Sequence, residues 1–203
     1  MKKCFFITGT DTHVGKTYVS CNLLMRMNQL QLRTLGIKPV ASGTIQHKLN
    51  YYNEDALHLS QASSIKLPYD QINPFLFQAP VSPHLAAELE QRSFQACDVV
   101  SACQAALSTE FDFCLIEGAG GWLTPINGTE TMADVATLFQ CPLILVIGLR
   151  LGCLNHALLT YENIKQRGLP LEGWVANQLD ADTPHPEHMI SLLKKKIDAP
   201  IIT

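Results

Sequence analysis

The sequence has no excess of positive charge, no long apolar run and no paired cysteine motif, and each absence excludes a class of protein. Its 15 lysines and arginines against 18 aspartates and glutamates give a formal net charge of −3, so nothing attracts nucleic acid or anionic lipid in general. No stretch reaches the roughly 18 apolar residues that a transmembrane helix needs. We therefore expect a small-molecule partner, with no nucleic acid and no membrane.

The seven cysteines are scattered, at positions 4, 21, 97, 103, 114, 141 and 153, and none forms a Cys-x-x-Cys pair. This spacing does not match a zinc site and instead predicts small, reduced core residues. The apolar run that opens the chain, Cys4 to Ile7, is too short for an export signal. We therefore expect a cytoplasmic protein.

Length and patterning predict one α/β domain spanning residues 1–203. The composition, 47% hydrophobic and 16% charged, is that of an ordinary globular domain. Short apolar runs predict strands at Cys4–Thr8, Leu35–Val40, Phe113–Glu117, Leu143–Ile147 and Gly173–Ala176. Helical spacing predicts helices at Gly15–Leu30, Glu54–Ala62, His84–Gln91, Ser93–Leu107, Thr131–Phe139, Leu154–Arg167 and Pro186–Lys196. The alternation favours a three-layer fold, a mainly parallel sheet with helices on both faces, and the proline-rich segment Lys66–Pro83 is expected to be irregular.

The first predicted strand runs into a glycine-bounded loop and then a helix, which is the setting of a P-loop. The candidate phosphate-binding residues are Gly9, Thr10, Asp11, Thr12, His13, Val14, Gly15, Lys16 and Thr17. Loop amides and the helix N-terminus would bind phosphate oxygens, Lys16 would add charge, and Thr17 would coordinate Mg²⁺ beside ATP. Five residues separate the two glycines where the strict pattern has four, so Thr10 occupies the opening position. This loop predicts P-loop NTPase chemistry.

The ends of the second and third predicted strands deliver further polar residues to the same edge. Lys38 lies near the end of the second strand, Ser42 follows it, and both suit anionic substrate oxygens. Glu117 ends an apolar strand, as the magnesium-binding acid of a P-loop enzyme does, and Gly118 begins a glycine-rich turn behind it. Asp55, at the start of a predicted helix, has two open interpretations, a helix-capping acid or a metal ligand.

Six ordered segments resemble dethiobiotin synthetase, over about residue 3 to about residue 178. They are Gly9–Thr17, Lys38–Gly43, Pro80–His84, Glu117–Trp122, Leu151–Ala157 and Gly173–Asn177. The resemblance implies an enzyme that uses ATP to join 7,8-diaminopelargonic acid and CO₂, or bicarbonate as its source, into the cyclic urea of dethiobiotin. A carbamate and a carbamic-phosphoric anhydride would be the intermediates, and ADP and phosphate would be released.

The resemblance also implies roles for individual residues. Lys16 and Lys38 would counter the charge between carbamate and triphosphate, and Thr12 and Ser42 would hydrogen-bond the diamine or carbamate. Thr17, Asp55 and Glu117 would hold Mg²⁺. Glu117, Gly118 and Asn177 would contact the nucleotide, with Asn177 at the adenine. Gly152, Cys153 and Asn155 would bind the substrate carboxylate across a homodimer interface.

Two alternatives and two departures accompany this interpretation. A nucleotide-switched ATPase that regulates a protein partner would share the P-loop, but dimerising switches carry a lysine five positions before the P-loop lysine, where this chain has Asp11. An amidating synthetase would need a glutaminase domain for which 203 residues leave no room. His13 replaces the Glu of well-known family members. The sequence also ends at Thr203, where Ala199–Ile202 resembles the start of another strand, so we expect fewer contacts to the nucleotide base.

Overall fold

A computed structural model describes residues 2–203 as a sheet of five parallel strands with helices on both faces. The strands, in chain order, are β1 (Lys3–Gly9), β2 (Thr34–Ile37), β3 (Val40–Ser42), β4 (Ile45–His47), β5 (Asn50–Tyr52), β6 (Phe75–Phe77), β7 (Phe113–Glu117), β8 (Leu143–Leu149) and β9 (Leu171–Gln178). The central sheet has the order β2-β7-β1-β8-β9, while β3 pairs with β6 and β4 pairs with β5.

Helices occupy most of the connections between these strands. They are α1 (Lys16–Gln29), α2 (Glu54–Ala62), α3 (Tyr69–Ile72), α4 (Pro83–Leu89), α5 (Ala96–Ala102), α6 (Gln104–Ser108), α7 (Met132–Phe139), α8 (Cys153–Gln166) and α9 (Pro186–Lys196). None of the helices between residues 2 and 203 is both long and apolar enough to cross a membrane.

The two faces of the sheet are covered by different helices, which confirms the predicted three layers. On one face, Phe6 and Ile116 pack in a core shared with α5, α7 and α8. On the other face, Ile7 and Leu115 pack against apolar side chains of α1 and α2, among them Leu24 and Leu59. Because both faces are buried, the strands are apolar along their whole length and show no polar alternation.

The second predicted strand was too long, because it combines two strands that belong to different sheets. Pairing of β2 with β7 ends at Ile37, and Pro39 has no N–H to continue a ladder. The backbone N–H of Lys38 donates to Ile72 O at 2.9 Å, and Phe75 N donates to Pro39 O at 3.0 Å. The chain therefore leaves the central sheet at Lys38 and pairs as β3 with β6.

Three further predictions were wrong in detail. The proline-rich segment Lys66–Pro83 contains α3 and β6, because the apolar rings of β6 pack on Phe94, with the Phe75 and Phe94 centroids 5.0 Å apart. The predicted helix Ser93–Leu107 is two helices that meet at Cys103, whose N–H donates to Val100 O, three residues back. Cys97 is exposed rather than buried in the core, although all seven cysteines are free, as expected.

The last residues of the chain, after α9, form hydrogen bonds with β9, in agreement with their strand-like pattern. Trp174 N donates to Pro200 O at 3.0 Å, and Ile202 N donates to Trp174 O at 2.8 Å. The indole of Trp174 is fully buried, and its Nε1 donates to Ala199 O at 3.2 Å. Trp174 therefore joins the edge of the sheet to the last residues of the chain.

We expect Trp174→Ala to lower the free energy of unfolding by about 3–5 kcal/mol, because it leaves a large cavity and removes the indole hydrogen bond. Urea unfolding followed by circular dichroism would measure the change. Leu30→Ala is the control, since that side chain is 66% exposed and its loss should change stability by less than about 0.5 kcal/mol. Equal effects of the two substitutions would contradict this assignment of Trp174.

Candidate active site

The strand order places the predicted site residues together at the carboxyl edge of the sheet. Because β7 lies between β1 and β2, Glu117 at the end of β7 lies between the P-loop that follows β1 and Lys38 that follows β2. The ends of β8 and β9 lie on the other side of the P-loop. This edge is where open α/β sheets bind their ligands.

The P-loop runs from the end of β1 into α1 and is closed by contacts within itself and with β9. The Lys16 ammonium donates to the backbone O of Asp11 at 3.0 Å, across the loop. Gly15 has a φ of 87°, and a Cβ built there would lie 2.1 Å from Nδ2 of Asn177. The same Nδ2 donates to Val14 O at 2.9 Å. Asn177 therefore fixes the loop where helix α1 begins.

Asp11 and Arg150 join the P-loop to the segment after β8. Oδ1 of Asp11 accepts the backbone N–H of Thr12 at 2.8 Å, and its Oδ2 forms an ion pair with the Arg150 guanidinium. Sequence reasoning did not find Arg150, because an arginine after a strand carries no signal that it pairs with a residue 139 positions away. The pair connects the P-loop with the segment that precedes α8.

Lys38 is buried, 4% exposed, and its ammonium bridges two carboxylates. Nζ lies 2.7 Å from Oε1 of Glu117 and 2.9 Å from Oδ2 of Asp55. Its backbone is fixed separately, since the Asn73 amide donates to Lys38 O at 2.7 Å. Asn73 was missed in the sequence because only the turn between α3 and β6 brings it beneath Lys38.

Glu117 is fully buried and forms the centre of the site. Its Oε1 accepts hydrogen bonds from the Thr17 hydroxyl at 2.7 Å and from Lys38. Its Oε2 has no hydrogen-bond partner within residues 2–203. A buried carboxylate oxygen without a partner is energetically unfavourable, and a bound cation would satisfy it.

Asp55 belongs to the site, because another residue caps helix α2. The side chain of Asn53 accepts the N–H of Ala56 at 3.2 Å, as an N-cap residue does, and its amide donates to Gly43 O at 3.0 Å. The carboxylate of Asp55 is left to pair with Lys38. The structure therefore assigns the cap of α2 to Asn53, and the role of Asp55 as a metal ligand stays a prediction.

Burial and neighbouring charges shift the pKa values of these groups. Burial, with a smaller contribution from Lys38, lowers the pKa of Lys16 to about 8. Burial also opposes the charged form of Lys38, but the Glu117 and Asp55 carboxylates outweigh it and raise the pKa of Lys38. Desolvation acts against the charge on Asp55, yet Lys38 holds its pKa below the usual range. Lys38 and Asp55 are therefore both ionised near neutral pH.

One cavity of about 640 Å³ opens over these residues. The predicted residues that line it are Thr12, His13, Gly15, Lys16, Thr17, Lys38, Ser42, Asp55 and Glu117. Its far wall is the segment from Pro80 to Pro83, in which the Ser82 hydroxyl lies 2.9 Å from Nδ1 of His84. A second cavity of about 450 Å³ also includes Thr12 and continues toward α8.

Several predicted residues lie outside the main cavity. Gly9 and Thr10 form the start of the P-loop, and Gly118 follows Glu117 with its N–H donating to Ile7 O at 2.9 Å. Gly152, Cys153 and Asn155 lie at the start of α8, and the Cys153 side chain is buried beside Met189. Trp122, whose Nε1 donates to Asn163 at 2.8 Å, and Trp174 are packing residues.

The oxygen atoms at the centre of the site suit a hard divalent cation. The Thr17 hydroxyl and the Glu117 carboxylate are in direct contact, and Asp55 joins them through Lys38. Mg²⁺ prefers hydroxyl and carboxylate oxygens, and the unpartnered Oε2 of Glu117 is available to it. Within residues 2–203, no cluster of three or more His, Cys, Asp and Glu side chains offers a different kind of metal site.

Gly15→Ala should weaken ADP binding by about tenfold or more, because its Cβ would displace the Asn177 amide and the loop that the amide holds. Isothermal titration calorimetry with Mg-ADP would measure the loss. Gly168→Ala is the matched control, since Gly168 also has a positive φ, 68°, but a Cβ there meets nothing within 4 Å. Unchanged ADP affinity in Gly15→Ala would show that the contact with Asn177 does not shape the loop.

Comparison with solved structures shows the fold of P-loop NTPases. The signal recognition particle receptor FtsY of Elizabethkingia anophelis aligns with 99% of this chain and 57% of its own, with a TM-score of 0.60 and 15% identity. The septum site-determining protein MinD of Pyrococcus horikoshii, complexed with Mg-ADP, covers 99% of this chain and 79% of its own, with a TM-score of 0.55 and 16% identity. At these identities the likeness concerns the fold alone.

Sequence comparison identifies the family. A family model described as an AAA domain matches residues 3–202. The ATP-dependent dethiobiotin synthetase BioD of Cellvibrio japonicus is 49% identical over 201 residues, which cover 99% of this chain and 88% of the relative. The ATP-dependent dethiobiotin synthetase BioD 1 of Escherichia coli is 45% identical over 202 residues, covering 100% and 89%. The chain therefore belongs to the family of ATP-dependent dethiobiotin synthetases.

Proposed function

We propose that the chain is a dethiobiotin synthetase, which uses ATP to convert 7,8-diaminopelargonic acid and CO₂ into dethiobiotin. The observation that carries the proposal is the pair of buried lysines, Lys16 and Lys38, that line one cavity together with the P-loop. A reaction between two anions, a carbamate and a triphosphate, needs buried positive charge between them. A site with two such lysines meets this need.

The proposed reaction has three steps. One amine of the substrate captures CO₂ as a carbamate and loses a proton. A carbamate oxygen then attacks the γ-phosphorus of ATP, which forms a carbamic-phosphoric anhydride and releases ADP. The second amine attacks the carbonyl carbon of this anhydride and loses a proton, so that the ring closes and phosphate leaves with the electron pair of the broken C–O bond.

The chain's own residues would bind and orient the reacting groups. Lys16 would hold the β- and γ-phosphates, and Lys38 would lie on the carbamate side. Thr12 and Ser42, which both line the main cavity, would hydrogen-bond the diamine or carbamate. The remaining P-loop residues, Gly9, Thr10, Asp11, His13, Val14, Gly15 and Thr17, with Gly118, would surround the phosphates, and Asn177 would contact the adenine.

Mg²⁺ would be held by Thr17, Asp55 and Glu117, whose oxygen atoms fit that ion. When bound, it would neutralise charge on the phosphate oxygens of ATP. The protein's contribution is to hold these oxygen atoms together in the cavity, where Lys38 keeps the pKa of Asp55 below its usual range. His13, exposed at the mouth of the cavity, brings no negative charge to the phosphates where other family members have Glu.

We also propose a single domain over residues 1–203 that works as a homodimer. Three exposed leucines lie beside the second cavity or at the start of α8: Leu123 is 48% exposed, Leu151 90% and Leu159 64%. An apolar surface of this kind is typical of an interface. The start of α8 would then present the amides of Gly152, Cys153 and Asn155 to the substrate carboxylate near the partner subunit. The free thiols of all seven cysteines support a cytoplasmic enzyme.

The rival proposal, a nucleotide-switched ATPase with a protein partner, has less support. At the position where such switches have their additional lysine, this chain has Asp11, and Asp11 is paired with Arg150 of the same chain. FtsY and MinD share the fold but only about one residue in six or seven, whereas the synthetases share nearly half. The likeness to FtsY and MinD therefore concerns the fold, while the sequence identity supports the synthetase.

Phosphate release from Mg-ATP and bicarbonate should depend strictly on 7,8-diaminopelargonic acid, with dethiobiotin detected by mass spectrometry.

Lys16→Ala should abolish turnover, and Lys38→Ala should reduce kcat by about a hundredfold or more while Mg-ADP affinity changes far less, because Lys38 acts on the carbamate side. Lys165→Ala, an exposed lysine of α8, is the control.

Two results would count against this proposal. Hydrolysis of ATP without the diamine would favour the nucleotide-switched ATPase. An unchanged kcat in Lys38→Ala would show that Lys38 does not assist the activation of the carbamate.

The dimer proposal predicts that Leu151→Asp dissociates the protein into monomers, because a buried unpaired carboxylate would oppose association at the apolar surface. Light scattering after size exclusion would measure the mass. Leu30→Asp makes the same change at an exposed leucine that follows the end of α1, and it should leave the mass unchanged. A monomeric unmodified protein at micromolar concentration would refute the dimer.

A further inference from the structure

The ammonium of Lys38 lies at a position suited to a cation that binds both carboxylates. Its contacts to Glu117 and Asp55, at 2.7 and 2.9 Å, connect side chains from β7 and α2 that belong to different layers of the fold. The Thr17 hydroxyl shares the same Oε1 of Glu117. Lys38 therefore pairs with one oxygen of each of the two acids that we assign to the metal.

The charges of the site balance without any ligand. By formal charge, the two positive charges of Lys16 and Lys38 cancel the two negative charges of Asp55 and Glu117. A divalent cation entering alone would place two further positive charges against the buried ammonium of Lys38, where charges are screened less than in water. A divalent cation entering with a triphosphate brings its own compensating negative charge. The balance therefore disfavours the free metal ion and permits the metal–nucleotide complex.

The contacts of Lys38 allow its head group to move while its backbone stays in place. The backbone of Lys38 is held on both sides, because its N–H donates to the carbonyl of Ile72 and its carbonyl accepts the side-chain amide of Asn73. The ammonium, in contrast, contacts only the two carboxylates among residues 2–203. A cation that takes over both carboxylates would release the ammonium and leave the rest of the strand end unchanged.

We infer that Lys38 is an internal counter-cation of the Asp55 and Glu117 carboxylates, displaced by the incoming metal–nucleotide complex and thereby released toward the carbamate. The inference rests on the proposed function for its last step. It couples two events, because Lys38 becomes available to the substrate only when the nucleotide is in place. An enzyme built this way activates the carbamate after ATP has bound and keeps the empty site neutral.

A purely structural ion pair would behave differently from an exchangeable counter-cation. If Lys38 only supports the fold, its removal destabilises the protein, and a divalent cation does not repair the damage. If Lys38 occupies the place of the metal, its removal leaves a net charge of −1 on the remaining three groups and creates a better site for a divalent cation. The two cases differ in metal binding measured without nucleotide, where no catalysis is involved.

The test is Mn²⁺ binding to the nucleotide-free protein, measured by electron paramagnetic resonance of the free ion. Wild-type protein should bind Mn²⁺ weakly, and Lys38→Met, which keeps the length and apolar stem of the side chain, should bind it about tenfold more tightly or better. Lys165→Met removes an exposed lysine of α8 and should leave the wild-type affinity unchanged. Thermal denaturation should show that Mn²⁺ raises the Tm of Lys38→Met more than that of the wild type.

Each result of the Mn²⁺ measurement either supports or overturns the inference. Equal Mn²⁺ affinity in the wild type and Lys38→Met, or a loss of affinity in the variant, would overturn the inference. If Lys38→Met folds only with Mn²⁺ present, that rescue supports exchange. If it does not fold even then, Lys38→Gln, whose amide still donates to one carboxylate, is expected to show the same gain in affinity, and its failure to do so would also overturn the inference.

This experiment is independent of the test of the proposed function. It uses no diamine, no bicarbonate and no ATP, so a protein that makes no dethiobiotin would still reveal whether Lys38 and the divalent cation compete. Tight Mn²⁺ binding in the variant together with absent synthetase activity would refute the function and keep the exchange. Synthetase activity together with unchanged Mn²⁺ binding would support the function and refute the exchange.

Discussion

The ion pairs between Lys38 and the carboxylates of Glu117 and Asp55 are the interaction on which the rest of the site depends. Removing one partner from a buried pair leaves an uncompensated charge, which costs about 3–5 kcal/mol in other proteins. The fold holds all three groups: β7 carries Glu117, α2 carries Asp55, and the exit from β2 carries Lys38. The buried charges of Lys38 and Glu117 are tolerated because they meet, and Asp55, whose side chain is 45% exposed, joins them from the cavity, so two contacts constrain the positions of three separate elements.

The same edge of the sheet brings the P-loop together with the ends of β7 and β2. The P-loop lies beside β8 and β9 on one side, where Asn177 holds Val14, and beside β7 and β2 on the other, where Thr17 meets Glu117. The nucleotide side and the substrate side of the proposed reaction therefore share the loop between them. In the proposed reaction, Lys16 of the loop and Lys38 after β2 would place positive charge between carbamate and triphosphate, which otherwise repel each other.

The fold class was predictable from the sequence, while several local elements were not. Doubly buried strands are uniformly apolar, and this made β1, β7, β8 and part of β9 recognisable. The short strands β3 and β6 were not predicted as separate strands. They pair with each other rather than with the central sheet, and the prolines nearby suggested an irregular segment. The split at Cys103 had no signal either, because no proline or glycine marks it.

By itself the sequence determined the chemistry of the P-loop, the acid that ends β7 and the lysine after β2, because residue type and spacing after a strand are local properties. It also identified the family through six ordered segments. Only the tertiary structure decided that Lys38 binds Glu117 and Asp55, that Asn53 rather than Asp55 caps α2, and that Arg150 and Asn73 support the site. These contacts join residues far apart in the chain, and strand order, which sets which ends become neighbours, is not written in any single segment.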